Sequence, residues 1–206
     1  MSTSKVREAF DRRADTYSAA VRRWPWSWLR ARERAAIGQT VGRITGQKVL
    51  ELGCGAGFYT RLLLEAGASW VTAVDQSPAM VAHLPKDNVI GIAGDAASVV
   101  AAAPVDLILS AGMLEFVPDP VAILSNAKRS AKPGTRLILL VPPVSPVALL
   151  YWVFHRLKGY SIRLFSQAEL NRVAAGAGWR VVSRRYVWPM SLVVELSQVD
   201  SSLAGR

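Results

Sequence analysis

The stretch VLELGCGAGFYTRLLL, residues 49–64, reads as a short apolar strand, a glycine-rich turn and an amphipathic helix. Glycines at 53, 55 and 57 let the backbone turn sharply and approach a ligand that any Cβ would obstruct. A dinucleotide fingerprint would continue from Gly53-x-Gly55 to a third glycine at position 58, which is Phe58. The loop is instead Gly-x-Gly-x-Gly, and an acid, Glu51, precedes it at the end of the strand. An acid there repels a pyrophosphate and attracts a cation. The ligand expected at this turn therefore carries positive charge and no phosphate.

At these residues the chain resembles the class I S-adenosylmethionine-dependent methyltransferases. The run Glu51-Leu52-Gly53-Cys54-Gly55-Ala56-Gly57 is similar to their first motif. The resemblance implies that Gly53, Cys54, Gly55 and Gly57 pack against the amino-acid part of the cofactor, S-adenosyl-L-methionine. It also implies that Glu51 orients the cofactor's ammonium. The competing reading is a strand-turn-helix unit whose glycines serve packing alone.

Downstream signals follow the same order. Residues 69–75, SWVTAVD, read as a second strand ending in Asp75, 22 residues beyond Gly53. A carboxylate there can accept both hydroxyls of a ribose, a feature shared with NAD enzymes. The run Asp75-Gln76-Ser77-Pro78-Ala79-Met80 resembles the family's second motif, which places Gln76 and Met80 beside the adenine. A third strand, 89–93, leads into Gly94-Asp95-Ala96, which the resemblance assigns to the adenine amino group; Asp95 could equally cap a following helix. The fourth strand, 105–110, ends at Ser110, a further expected cofactor-binding residue. The loop Ala111-Gly112-Met113-Leu114-Glu115-Phe116-Val117-Pro118-Asp119-Pro120 then resembles the place where methyl donor and acceptor meet. A helix over about 121–131, a Lys132-Pro133-Gly134 turn, a strand over 136–141, a helix over 165–177 and a hairpin of 179–188 with 191–199 complete the pattern.

The expected fold is α/β, a doubly wound Rossmann-like sheet of seven strands. The resemblance implies strand order 3-2-1-4-5-7-6, with helices on both faces. At 206 residues the chain reads as one domain. It divides into an N-terminal helical cover (1–47), a cofactor-binding core (48–141), and a lid helix, C-terminal helix and hairpin (142–206). Its single cysteine, Cys54, rules out an internal disulfide framework and suits a reducing cytoplasm. No basic-then-apolar leader opens the sequence. Residues 137–154 are 18 consecutive uncharged positions, but Pro142, Pro143 and Pro146 interrupt them. They read as a strand, a proline turn and a short apolar helix.

The formal net charge of +10 is unevenly spread. Residues 1–47 carry +6 and residues 128–206 carry +9, whereas 48–127 carry −5. An acidic cofactor half under basic covers suits a sulfonium below and an anionic partner above. That partner is an acidic small molecule, an acidic membrane surface met peripherally, or nucleic acid; a solvated charged face is the plain alternative. Nucleic-acid chemistry is disfavoured, because Ser110-Ala111-Gly112-Met113 is not the Asn/Asp-Pro-Pro-aromatic loop used on exocyclic amines.

Both covers interleave aromatic and basic residues. Phe10, Ala14 and Tyr17 make a helical stripe resembling the opening of quinone- and biotin-biosynthesis methyltransferases, which puts Tyr17 over cofactor or acceptor. Trp24 and Trp28 share a helix face beside several arginines. Residues 147–158, VALLYWVFHRLK, form a helix that reads as a lid, a membrane-interface contact or a core helix. Substrate candidates are Tyr17, Trp24, Met113, Trp152 and His155. A general base is optional for displacement at a sulfonium, and the candidates are Glu115, His155 and Tyr17. No spacing of His, Asp or Glu suggests a metal site. The expected function is methyl transfer to a small apolar or lipid-like acceptor bearing an anion, with the oligomeric state left open. The alternatives are an RNA methyltransferase and a non-catalytic protein that holds the cofactor for a partner.

Overall fold

A computed structural model of the chain describes residues 26–157, 159 and 161–199. Its centre is a seven-stranded sheet ordered β3-β2-β1-β4-β5-β7-β6. The strands are β1 (Lys48–Leu52), β2 (Trp70–Asp75), β3 (Val89–Ala93), β4 (Val105–Ala111), β5 (Ala131–Val141), β6 (Trp179–Val187) and β7 (Ser191–Gln198). β1 to β5 are parallel, and β7 runs antiparallel to both β5 and β6. The expected order and hairpin are therefore present.

Strand side chains alternate between two apolar layers, as a sheet buried on both faces requires. Leu50, Leu52, Ile108, Leu137, Leu139, Leu192 and Val194 face one layer. Val49, Val71, Ala73, Leu107, Leu109, Ile138 and Leu140 face the other. Helices α4 (Pro120–Lys128) and α6 (Gln167–Gly176) cover the first through Ile123, Leu124, Leu170 and Val173. Helices α1 (Trp26–Val41) and α2 (Phe58–Glu65) cover the second through Ile37, Val41, Leu62 and Leu63. Between β2 and β3 lies the short α3 (Pro78–Val81), and α5 (Pro146–Leu157) follows β5.

The helix starts obey local chemistry. Ser77, Asp119 and Ser166 each accept a backbone N–H three residues on, and Pro78 and Pro120 occupy first-turn positions. At the other end of α1, Arg136 holds the last carbonyls: its guanidinium donates to Thr40 O and Val41 O and pairs with Glu195 at 2.7 Å. One side chain on β5 thus ties α1 to β7.

Three expectations need correction. α4 ends at Lys128, and β5 already begins at Ala131. Residues 132–134 bulge out of the β4–β5 pairing, whose register jumps between Val105 and Leu107, and Thr135 Oγ1 closes the bulge by donating to Val105 O at 2.6 Å. No helix follows Asp95; its Oδ1 accepts from Ala97 N at 2.9 Å and caps a turn. The core-helix reading of α5 fails, because Ala148 is its one buried residue whereas Leu150 is 70% and Leu157 83% exposed. The stripe at Phe10, Ala14 and Tyr17, and Trp24, lie outside the described residues.

Candidate active site

In an open parallel sheet the crevice forms where neighbouring strands send their connections to opposite faces, beyond the strands' carboxyl ends. Here β1 and β4 are those strands, and the glycine loop, Asp75 and Ser110 converge there. Gly53 N and Cys54 N donate to Val74 O at 2.8 and 3.0 Å, pinning the loop across the end of β2. Gly53 has φ +72°, and a Cβ on it would lie 2.5 Å from Met113 Cβ, so the loop after β4 presses directly on the glycine turn. Gly55, with φ +51°, has no atom within 4 Å of its would-be Cβ. The turn is thus closed on the Met113 side and open at Gly55, the geometry of a ligand cradle.

Asp75 braces the cradle. Its Oδ2 accepts from Gly55 N at 2.8 Å and its Oδ1 from Ser77 N at 2.9 Å. Glu51 is buried, and Thr60 Oγ1 on α2 donates to its Oε2 at 2.6 Å. Burial, with Asp75 adding repulsion against the Thr60 hydrogen bond, pushes its carboxyl up to about 8. A buried acid in this state gains most from a ligand that brings a cation. Ser110 Oγ is fully buried with no hydrogen-bond partner, at the end of β4 and in register with Leu52. An orphaned hydroxyl, an open glycine and a desolvated acid in one crevice fit an adenosyl sulfonium carrying an ammonium.

Other expected cofactor residues are placed as follows. Cys54 is buried, and burial beside Glu51 and Asp75 pushes its thiol well above the ordinary range, so its contribution is its backbone. Gln76 is half-buried beside Asp75, whereas Met80, on α3, is 1% exposed. Gly94 N donates to Asp75 O, bringing Gly94, Asp95 and Ala96 to the same crevice edge. Gly57 begins α2 with φ +82°.

Three residues were missed in sequence. Thr60 holds Glu51; a threonine in the first turn after the glycine loop was its only signal. Arg61 donates to Ala56 O, Gly57 O and His83 O, stapling the glycine loop to the end of α3. Asn126, buried on α4, donates to Ala96 O and Val99 O at 3.0 and 2.7 Å and fixes the turn after β3.

Leu29 of α1, Ala148 of α5 and Met190 of the β6–β7 turn form a small apolar cluster joined by Tyr151 and Leu164. Ala148, Tyr151 and His155 share a face of α5. Tyr151 lies 4.3 Å and Phe116 6.2 Å from the His155 ring. Trp152, the neighbouring residue, has Arg156 5.7 Å over its ring. Glu115 is buried on the 3-10 turn Leu114–Phe116, and burial raises its carboxyl to about 7. Among the described residues no group of three or more His, Cys, Asp or Glu could hold a metal ion, and no helix is long and apolar enough to cross a membrane.

Comparison with known proteins agrees with this geometry. A family model described as "Methyltransferase domain" matches residues 23–184. The ubiquinone biosynthesis O-methyltransferase of Pseudomonas aeruginosa (strain LESB58) is 33% identical over 119 residues, 53% of this chain and 50% of that protein. The same-named protein of Xanthomonas oryzae pv. oryzae (strain PXO99A) is 29% identical over 150 residues, 65% and 62% of the two chains. The chain thus spans about half to three-fifths of the length of these curated relatives. Among solved structures, the DhpI–SAH complex is 26% identical with TM-score 0.72, covering 93% of this chain and 94% of that one. Magnesium protoporphyrin IX methyltransferase from Synechocystis PCC 6803 with bound SAH shares the fold at TM-score 0.76 and 18% identity, over 96% and 100%. The match over most of its length, on a sheet with this strand order and this glycine cradle, makes the chain a member of the methyltransferase domain family, in its class I S-adenosylmethionine-dependent branch.

Proposed function

We propose that the chain transfers a methyl group from S-adenosylmethionine to a small apolar or lipid-like acceptor. The observation that carries this reading is the Thr60-held Glu51 carboxyl, buried beneath a glycine turn that is open at Gly55 and braced by Asp75. When bound, the cofactor supplies an electrophilic methyl on a sulfonium. Glu51 receives its ammonium, Asp75 its ribose hydroxyls, and Gln76 with Gly94, Asp95 and Ala96 its adenine. Met113 lies over Gly53, at the start of the loop expected to face the acceptor. The protein's task is to align acceptor and methyl and exclude water. The names of the O-methyltransferase relatives support a small molecule as acceptor and oxygen as the atom methylated. Arginines on α1 and near α5 would draw an anionic group on such an acceptor.

Calorimetry on the full chain tests the cofactor half of this reading. S-adenosylmethionine and its demethylated product bind, and NAD does not; the reverse result refutes the assignment. Transfer of labelled methyl into an organic-soluble fraction tests the acceptor half.

A second reading concerns where the acceptor is met. Leu149, Leu150, Val153, Phe154 and Leu157 of α5 are exposed, beside Arg156. An apolar helix face with cations at its end suits peripheral contact with an anionic membrane surface, from which a lipid-like acceptor would enter under α5.

A further inference from the structure

Glu115 has chemistry that cofactor binding does not use. It is 7% exposed, and its Oε2 is buried without a hydrogen-bond partner. An unsatisfied carboxyl oxygen inside a fold costs stability, so its retention calls for an explanation. Its Oε1 lies 3.8 Å from where a Cβ on Gly112 would stand, which places the group over the carboxyl end of β4, next to Met113. On the methyltransferase reading, the loop after β4 is where methyl donor and acceptor meet.

Two charged residues of α1 act on it. Glu33 is also buried; its Oε1 accepts from Ser191 Oγ at 2.5 Å, and its Oε2 lies 3.4 Å from Arg30 Nη1. Arg30 favours the ionised form of Glu115, and Glu33 opposes it. Arg163, before α6, donates its backbone N–H to Glu115 O, while its guanidinium turns to Pro118 O and Glu169. His155 of α5 is reached across the Phe116 ring. Helix α1, the loop after β4 and the start of β7 therefore meet in a buried polar cluster in which Glu115 Oε2 is an open acceptor atom.

We infer that Glu115 receives the proton of the acceptor's nucleophile, and that this nucleophile is a hydroxyl, phenolic or alcoholic. Glu33, Arg30 and Ser191 act as positioning residues. The inference rests on the methyltransferase reading and deepens it. A buried, unpartnered carboxylate oxygen selects a donor: a hydroxyl satisfies it, whereas an ether or an unprotonated amide oxygen leaves it orphaned. In the balanced step the acceptor oxygen forms a bond to the methyl carbon and the carbon–sulfur bond breaks. Its electron pair stays on sulfur, and the hydroxyl proton passes to Glu115 and later to solvent. A carboxyl titrating close to neutrality is matched to that task.

The test follows the carboxyl itself. Infrared difference spectra of the full chain with labelled glutamate should show a protonated carboxyl that titrates near neutrality and is absent in Glu115→Gln. A second such band, from Glu51, is assigned by its loss in Glu51→Gln. Glu33→Gln should move the Glu115 titration to lower pH and Arg30→Gln to higher pH, shifts that a merely structural role would not produce. Phenol, the probe, should perturb the Glu115 band in protein holding S-adenosylhomocysteine, and anisole, lacking the donor, should not. Titration in the ordinary glutamate range, or equal responses to phenol and anisole, overturns the proposal. Calorimetry separates the two levels: wild-type protein that binds S-adenosylmethionine but fails these tests leaves the methyltransferase reading intact. Protein that binds no S-adenosylmethionine sinks both.

Discussion

Thr60 Oγ1 on α2 donates to Glu51 Oε2 on β1, so the helix that starts from the glycine loop also grips the acid that precedes it. The bond lowers the proton affinity of Glu51, but burial and Asp75 outweigh it and leave the carboxyl at about 8. At neutral pH the unliganded protein therefore holds Glu51 mainly protonated. A cationic ligand favours the carboxylate, so binding expels a proton and affinity climbs between pH 6 and 8, by at most about tenfold per unit. Calorimetry in two buffers of different ionisation enthalpy should register that proton. Glu51→Gln should abolish its release, and Thr60→Val should move the climb to higher pH. A flat affinity profile in the native chain would refute this account.

Asp75 has a double duty, since it holds Gly55 N and is expected to hold the ribose. Asp75→Ala should weaken S-adenosylmethionine binding by about 2–4 kcal/mol for two lost bonds to a charged group. Asp75→Asn keeps the shape and one acceptor and should lose roughly half as much. Equal dissociation constants in all three proteins would remove Asp75 from the site.

Stability should fall as pH rises. Glu51 and Glu115 have unfolded values of 4.5 and folded values of about 8 and about 7. Over that interval the folded state binds more protons than the unfolded one. Their contribution is complete below pH 4.5 and is lost as pH climbs through the folded values. Glu115→Gln should therefore gain stability relative to the native chain between pH 5 and 7, by on the order of 2 kcal/mol. Denaturant titrations at three pH values measure it, and a difference independent of pH would contradict the assignment.

Gly53→Ala should be costly for two separate reasons: a left-handed φ of +72°, and a Cβ that would lie 2.5 Å from Met113 Cβ. We expect a loss of about 2–4 kcal/mol. Met113→Ala should not rescue it, because that substitution keeps the clashing Cβ. Full rescue would mean that the loop after β4 yields easily.

The fold was legible because β1, β2, β4 and β5 carry apolar runs that end at polar, glycine or proline punctuation, a local signal. The placement of Glu51, Asp75 and the glycines at the strand ends was legible for the same reason: each sits at a fixed offset from a strand end. Thr60, Arg61 and Asn126 were not, since their value depends on which way a helix face turns once packed. Trp152 and Tyr151 are adjacent in sequence, and only the rotation of α5 decides that Tyr151 meets Leu29 and Met190. The bulge at 132–134 reads in sequence as a plain turn, because the hydrogen bond of Thr135 to Val105 spans 30 residues. Burial of Glu33 and Glu115 together is likewise a long-range fact, invisible until α1 is laid against the sheet.

Helix α5 supplies the last prediction. Leu150 and Leu157 stand 70% and 83% exposed, seven residues apart on one face. Inserting both into a bilayer interface would stabilise binding by about 3 kcal/mol or more, at roughly 1.5–3 kcal/mol for each fully buried leucine. Arg156 beside them adds attraction to anionic headgroups, about 1 kcal/mol per cation near such a surface. The chain should therefore sediment with phosphatidylglycerol vesicles, less with phosphatidylcholine, and less again at high salt. Leu150→Ser with Leu157→Ser should weaken that association by roughly 100-fold while leaving S-adenosylmethionine affinity in place, because neither side chain lines the cofactor crevice. Equal partition of native and doubly substituted chains, or no association with anionic vesicles at low salt, would exclude α5 as a membrane contact.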